Sequence, residues 1–139
     1  MLDLKIVEVG ESDYTSPMIL VEASGKNTRP CVDYRRLNEV TRTEFSPLPN
    51  IEERAERVAG ARCITVLDFA EAYWQIPLGE NAQELAAFCT SFGTYRPLRV
   101  RFGLENAPYF FSRLVAELLG GCEEFAVPYL DDIAIFSET

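Results

Sequence analysis

The chain has 139 residues, which suits one domain of roughly 100–200 residues. With 47% hydrophobic and 25% charged residues it is a folding sequence rather than a disordered one. No apolar run approaches the ~20 residues of a membrane span, and MLDLKIVEVG lacks a basic stretch before an apolar core, so neither a span nor a secretory signal is read.

Histidine is absent, which excludes His-based triads, HExxH zinc sites and an imidazole general base. Cys31, Cys63, Cys89 and Cys122 form no C-x-x-C pair, so a zinc site is not expected. Three of the four lie in apolar runs, the pattern of buried reduced thiols in an intracellular protein. The net charge is −9, which opposes whole-surface attraction to nucleic acid. The distribution qualifies this. Between Leu85 and Leu104 stand Arg96, Arg99 and Arg101 and no acid, and between Arg29 and Arg42 four Arg face Asp33 and Glu39. From charge alone, solvated faces are the favoured reading.

In chain order, SPMILVEA (Ser16–Ala23) and RPCVDY (Arg29–Tyr34) read as strands, and SGKNT between them makes a hairpin turn. RRLNEVT reads as a short helix, and SPLP (Ser46–Pro49) breaks the chain. NIEERAERVAG is a second short helix: Asn50 caps it, Glu53 holds the capping-box position and Gly60 ends it. RCITVL (Arg62–Leu67) is a β-branched run leading into Asp68. A further short helix is allowed before AAFCT and TYRPLRV, two strands around SFG. In NAPYFFSRLVAELLGG, Asn106 caps a helix whose Phe111, Leu114, Val115 and Leu118 share one face. EFAVPYL and IAIF are strands flanking Asp131 and Asp132. Helices intermixed with hairpins point to an α+β fold with an antiparallel sheet.

VPYLDDIAIF encloses two adjacent carboxylates in an apolar run, and an unpaired buried carboxylate is costly. At a hairpin tip the pair is an ordinary solvated turn. Asp68, at the end of another apolar strand, changes the weighing. Were the strands neighbours, three carboxylates would converge at one sheet edge. Hard divalent cations take oxygen ligands, and two-metal phosphoryl transfer needs no histidine.

These residues resemble the reverse transcriptases of gypsy-type long-terminal-repeat retroelements. YLDD (Tyr129–Asp132) resembles the family's Y-x-D-D, and LDFAEAYWQIPL (Leu67–Leu78) its other catalytic-aspartate motif. RPCVDYRRLN (Arg29–Asn38), FCTSFGTY (Phe88–Tyr95) and FGLENAPYFFS (Phe102–Ser112) follow in family order and spacing.

The resemblance implies a partial right hand without a thumb: fingers over approximately 1–42 and 76–106, palm over approximately 43–75 and 107–139. It implies an RNA-directed DNA polymerase, with Asp68, Asp131 and Asp132 holding two Mg²⁺ (or Mn²⁺) together with the Phe69 carbonyl. Arg29, the backbone N–H groups of Glu71 and Ala72, Tyr73, Phe102 and Gly103 would meet the dNTP, with Tyr73 excluding a 2′-hydroxyl. Asp33, Arg35 and Asn38 would organise the fingers and contact template, and Tyr129 and Leu130 would lie on the primer side. Each has a plainer reading as core aromatic, turn or surface ion pair. The implied partners are an RNA or DNA template, a primer, dNTPs and the rest of a retroelement polyprotein, thumb and ribonuclease H included. The implied location is cytoplasmic, in a virus-like particle, or nuclear. Where the family's fingers turn is rich in lysine, Glu22 should repel a triphosphate and only Lys26 remains. Where proline usually precedes F-G-L, Arg101 should loosen the loop behind Phe102. The chain ends seven residues past Asp132 and reads as a fragment with little or no polymerase activity of its own. The alternative is a non-catalytic remnant or a co-opted interaction module.

Overall fold

The structure, a computed structural model, describes residues 1–22, 28–45, 51–129 and 131–138. Residues 24–27 of the SGKNT turn, Lys26 included, the SPLP break, the Asn50 cap and Leu130 lie outside the described residues. Two compact units emerge, each assembled from two stretches of chain: Met1–Thr43 with Tyr73–Ala107, and Glu44–Ala72 with Pro108–Thr139.

The first unit carries a five-stranded sheet. Its strands are β1 (Val7–Val9), β2 (Ser16–Val21), β3 (Arg29–Val32), β5 (Phe88–Thr90) and β6 (Gly93–Pro97), in the order β1-β6-β5-β2-β3. Helices α1 (Arg35–Val40) and α3 (Glu80–Leu85) and a 3-10 turn at Ala72–Gln75 accompany it. The hairpin of β2 and β3 pairs Met18 with Val32 and Val21 with Arg29. The sheet is mixed rather than antiparallel throughout, because β2 and β5 run parallel over Ser16–Phe88 and Pro17–Cys89. Parallel neighbours need a long crossover, and most of the chain between Val21 and Phe88 supplies it.

The unit's core joins Ile6, Val7, Val32, Tyr34, Ala86 and Phe88, with Met18, Leu37 and Trp74 packed against them. Tyr34 is 2% exposed, and its hydroxyl donates to the Ala86 carbonyl at 2.9 Å. A buried hydroxyl must find such a partner, and this bond ties the segment leading into α1 to the end of α3.

The second unit is simpler. Strands β4 (Cys63–Asp68), β7 (Ala126–Tyr129) and β8 (Asp132–Ser137) form an antiparallel sheet in the order β4-β8-β7. Helices α2 (Ile51–Ala59) and α4 (Ala107–Leu118) complete it. Phe111 and Val115 are buried on α4 as the apolar spacing requires, whereas Leu118, on the same expected face, is 60% exposed. The cysteines correct the sequence reading. Cys31 and Cys63 are exposed and Cys89 and Cys122 half-buried, all free. An apolar run in sequence does not ensure burial: all six residues of β4, Cys63 among them, are exposed. No helix is long and apolar enough to cross a membrane among the described residues.

Burial raises the Tyr34 hydroxyl from its ordinary value near 10 to about 12. The protonated phenol is thus favoured by folding, and the stability it lends is lost as pH climbs from about 10 to about 12. Urea unfolding across that window should show the wild type losing about 2–3 kcal/mol relative to Tyr34→Phe. At neutral pH the variant should instead be the weaker, by about 1 kcal/mol for the lost hydrogen bond.

Candidate functional site

In the second unit, β4 and β8 pair along their full length from Cys63–Ser137 to Asp68–Asp132. One residue further, the Phe69 N–H donates to the Asp131 carbonyl at 2.9 Å. That bond makes Phe69 and Asp131 a hydrogen-bonded pair, so Asp68 and Asp132 are a non-bonded pair, whose Cα atoms lie about 4.5 Å apart with both side chains on one face. Two like charges directly opposite destabilise a sheet unless something neutralises them. Asp68 is exposed and Asp132 half-buried at the sheet's end. The Phe69 ring meets the buried Phe111 ring edge-on at 5.3 Å and 89°, which anchors this end of β4 to α4.

The structure thus brings Asp68 and Asp132 into register and puts Asp131 beside them through its backbone. It forms no ready cage: among the described residues no group of three His, Cys, Asp or Glu side chains is arranged to hold a metal ion. The donor set nevertheless suits a hard cation, being carboxylate oxygens without nitrogen or sulfur. Beyond β4 the chain turns at Glu71, a non-glycine residue at φ 53, into the buried Ala72. Tyr129, at the end of β7, is 52% exposed and pairs with Asp132.

The remaining expected residues lie in the first unit. Arg29 opens β3 and is exposed. The Tyr73 ring stands 4.6 Å from Phe102, inclined by 67°. Gly103 sits at φ 93, in the left-handed region that disfavours a side chain. Asn38 holds this loop from both sides: its amide donates to the Gly103 carbonyl at 2.7 Å, and its side-chain oxygen accepts from the Glu105 N–H at 3.0 Å. Asn106 donates its side-chain amide to the Arg42 carbonyl at 2.9 Å.

Asp33 takes two side-chain bonds from Arg35, at 2.9 and 2.6 Å, and a third from the Arg35 backbone N–H. These bonds lower the Asp33 carboxyl from its ordinary 3.8 to about 2. The pair faces a cleft of about 530 Å³ that Arg36 and Glu39 also line. Such a surface pair adds little to stability; it orients the Arg35 guanidinium. Glu22 is exposed at the end of the β2 segment.

Arg101 departs from expectation. Instead of loosening the loop, its side chain is 6% exposed, stacks over the Phe88 ring at 5.0 Å and donates to the Met1 sulfur at 3.4 Å. Among the described residues it makes no ion pair, and burial pulls its pKa down. Sequence spacing carried no signal of this, because a charged residue in an apolar loop is ordinarily solvated.

The family model described as "Reverse transcriptase (RNA-dependent DNA polymerase)" matches residues 21–139. The retrovirus-related Pol polyprotein from transposon 297 of Drosophila melanogaster is 37% identical over 99% of this chain, which covers 14% of that protein. The enzymatic polyprotein of Figwort mosaic virus is 32% identical over the whole chain, which covers 22% of it. The chain therefore spans less than a quarter of the length of these relatives. Among solved structures, foamy viral protease–reverse transcriptase in complex with double-stranded DNA is similar with a TM-score of 0.88 at 21% identity. That likeness covers 99% of this chain and 24% of that one.

Exchanging Arg101 for Met keeps the bulk and the sulfur-rich packing but removes an unpaired buried charge. Arg101→Met should stabilise the protein by about 1–3 kcal/mol in chemical denaturation. A loss of stability would mean that the Phe88 and Met1 contacts outweigh the desolvation of the guanidinium.

Proposed function

The chain belongs to the reverse transcriptase family, the domain of retroelement polyproteins that polymerises DNA on RNA, and from that premise we propose that it is the fingers–palm portion of such a polymerase. The observation that carries the reading is the register of Asp68 against Asp132, with Asp131 fixed beside them by the Phe69 N–H. The unit built on β4, β7 and β8 is the palm, and the unit built on the five-stranded sheet is the fingers. Their separate contact networks support this division.

In this reading the reaction is attack of a primer 3′-hydroxyl on the α-phosphate of a dNTP, with pyrophosphate leaving. Asp68, Asp131, Asp132 and the Phe69 carbonyl would hold two Mg²⁺ or Mn²⁺. When bound, such ions activate the attacking hydroxyl and stabilise the leaving oxygen. The protein's own contribution is positional. The β4–β8 ladder presents two carboxylates on one face, where a cation relieves their repulsion. Arg29 would pair with the triphosphate as a planar multi-donor cation, and the Glu71 and Ala72 N–H groups would meet it from the turn after β4. Tyr73, backed by Phe102, would discriminate against a 2′-hydroxyl, and Gly103 would leave room for the nucleotide. Asp33 would aim Arg35 at the template, and Asn38 would keep the Phe102–Gly103 loop in place. Tyr129 and Leu130 would border the primer. The foamy viral protein's double-stranded DNA supports a template–primer as partner here, and the length of the relatives supports a larger polyprotein supplying thumb and ribonuclease H.

One observation favours the non-catalytic alternative: no three metal-ligating side chains stand ready among the described residues. Calorimetry separates the readings. On the polymerase reading, Mg²⁺ or Mn²⁺ at about ten times its dissociation constant stabilises the chain by about 1.4 kcal/mol, a rise of several degrees in Tm. The Asp131→Asn/Asp132→Asn double variant should lose that rise. An equal rise in both proteins, or none in either, would sink the metal site. Primer extension by the chain alone is expected to be weak or absent, and robust template-directed dNTP addition would contradict that expectation.

A further inference from the structure

Helix α2 and strand β4 are joined by residues 60–62 alone, and the Arg62 N–H donates to the Ser137 carbonyl of β8 at 3.0 Å. The helix also reaches the other side of the sheet. Arg54 and Arg57 stand one turn apart on one face of α2. The Arg54 guanidinium donates to the Pro128 carbonyl at 2.5 Å, and that of Arg57 to the Glu123 carbonyl. Arg57 also lies over the Phe136 ring at 5.8 Å. The helix thus links the two outer strands of the sheet, β4 through the chain itself and the β7 arm through two cations.

Parity explains why Pro128 is the place for such a bond. The Phe136 N–H donates to the Phe125 carbonyl, which makes Phe125 and Phe136 a bonded pair. Along the register, Val127–Ala134 and Tyr129–Asp132 are then bonded pairs as well, and Pro128 faces Ile133 across a non-bonded one. Ala126 and Pro128 therefore turn their backbone groups away from β8. The Ala126 N–H finds the Cys122 carbonyl at 2.9 Å. Pro128 has no N–H, and its carbonyl is the last outward acceptor of β7 before the tip that carries Asp131 and Asp132. That carbonyl belongs to the peptide unit entering Tyr129. The pyrrolidine ring fixes φ of Pro128 and the guanidinium fixes the peptide plane that follows, so the course of β7 into the tip is set from both sides.

The bond takes a cation partly out of water. Arg54 is half-buried, and desolvation pulls its pKa down, ahead of the effect of the nearby Arg57 charge. An apolar side chain would pack at this place without that penalty, but it would leave Pro128 untethered. The load on the tether is local. Asp68 and Asp132 repel each other across the β4–β8 seam, and β8 yields to that repulsion only by carrying Tyr129 and β7 with it. Arg54 belongs to none of the five family motifs, so the sequence alone gave no sign of it.

We propose that Arg54 is a positioning residue for the carboxylate hairpin: through the Pro128 carbonyl it holds Asp131 and Asp132 in the arrangement that a divalent cation binds. This rests on the polymerase reading, in which those carboxylates and Asp68 take the metal. Arg54 acts through the backbone of β7 and not on the reacting atoms.

Two measurements on the 139-residue chain test this. In metal-free protein, hydrogen exchange reads the Asp132 amide, which the Tyr129–Asp132 pair places on the Tyr129 carbonyl. Arg54→Met keeps the aliphatic stem and loses the donors. It should speed that exchange about tenfold, the loss of one hydrogen bond from a charged donor. Titration calorimetry with Mn²⁺ alone should show this variant binding about three- to tenfold more weakly, because the binding-competent hairpin is less populated. Arg54→Lys retains a donor and should recover most of both. Arg57→Met, acting at the other end of β7, should lower Tm yet leave Mn²⁺ affinity within about twofold of the wild type. Circular dichroism verifies the fold; should Arg54→Met unfold, Arg54→Gln, with its shorter side chain, carries the comparison. Wild-type protein that takes up no Mn²⁺ overturns the metal reading and this inference with it. Wild-type binding that Arg54→Met leaves unaltered, exchange at Asp132 no faster than in the wild type, no recovery in Arg54→Lys, or an equal loss of affinity in Arg57→Met overturns this inference alone.

Discussion

The hydrogen bond from the Phe69 N–H to the Asp131 carbonyl fixes the parity of the whole three-stranded sheet. Everything distinctive about the second unit follows from that parity. It makes Asp68 and Asp132 a close non-bonded pair with side chains on one face. It turns the bonding groups of Ile64, Val66 and Asp68 away from β8. Across the sheet, the matching parity of β8 and β7 gives Pro128 a position where its missing donor costs no ladder bond. A one-residue slip of β4 would exchange the two faces and separate the carboxylates. The apolar strands around VPYLDDIAIF therefore do more than bury surface; they hold a charge pair in register against its own repulsion.

The first unit solves a different problem, the placing of an irregular loop. Residues Arg101–Asn106 have little regular structure, yet three side chains determine their course. Asn38 bonds the loop at Gly103 and Glu105, and Asn106 bonds Arg42. Arg101 reaches inward to Phe88 and Met1. The first two exchange water for well-formed amide bonds. The third buries a cation against a ring and a sulfur, a weaker exchange that leaves the guanidinium short of strong acceptors.

Much of this was legible in the amino-acid order. The β2–β3 hairpin, both flanking strands of the Asp131–Asp132 tip, and helix α4 announce themselves through β-branched runs, turn residues and 3.6-residue spacing. The pairing of Asp68 with Asp132 was legible only as a possibility, because register is a property of two strands and sequence describes them one at a time. Strand β1 was missed for a similar reason. Its three residues, VEV, carry too little periodicity to mark a strand, and only the pairing with β6 from Val7–Pro97 to Val9–Tyr95 makes them one. The parallel contact of β2 with β5 rests on two residue pairs far apart in the chain. Cysteine burial was misjudged because an apolar neighbourhood in sequence is not a packed one in space: Cys31 and Cys63 lie at exposed positions of β3 and β4. Arg101 was misjudged because its surroundings come from Met1, Tyr34 and Phe88, none of them a sequence neighbour. The roles proposed for Arg29, Tyr73 and Arg35 toward substrate rest on family likeness, while their positions needed the fold.

The division of the chain has a practical corollary. Each unit is discontinuous, the chain crossing between them after Thr43, Ala72 and Ala107. Neither can be expressed as a single contiguous stretch. Isolating the sheet of β4, β7 and β8 requires splicing Ala72 to Pro108, or rewiring the termini by circular permutation. For the same reason β4 emerges during synthesis well before β8, and must wait for the whole of Tyr73–Ala107 and α4 to follow before it finds its partner. The carboxylate pair can thus assemble only after Tyr73–Ala107 and α4 have been made, and ribosome-stalled chains ending before Ser137 would still lack part of the ladder that holds it.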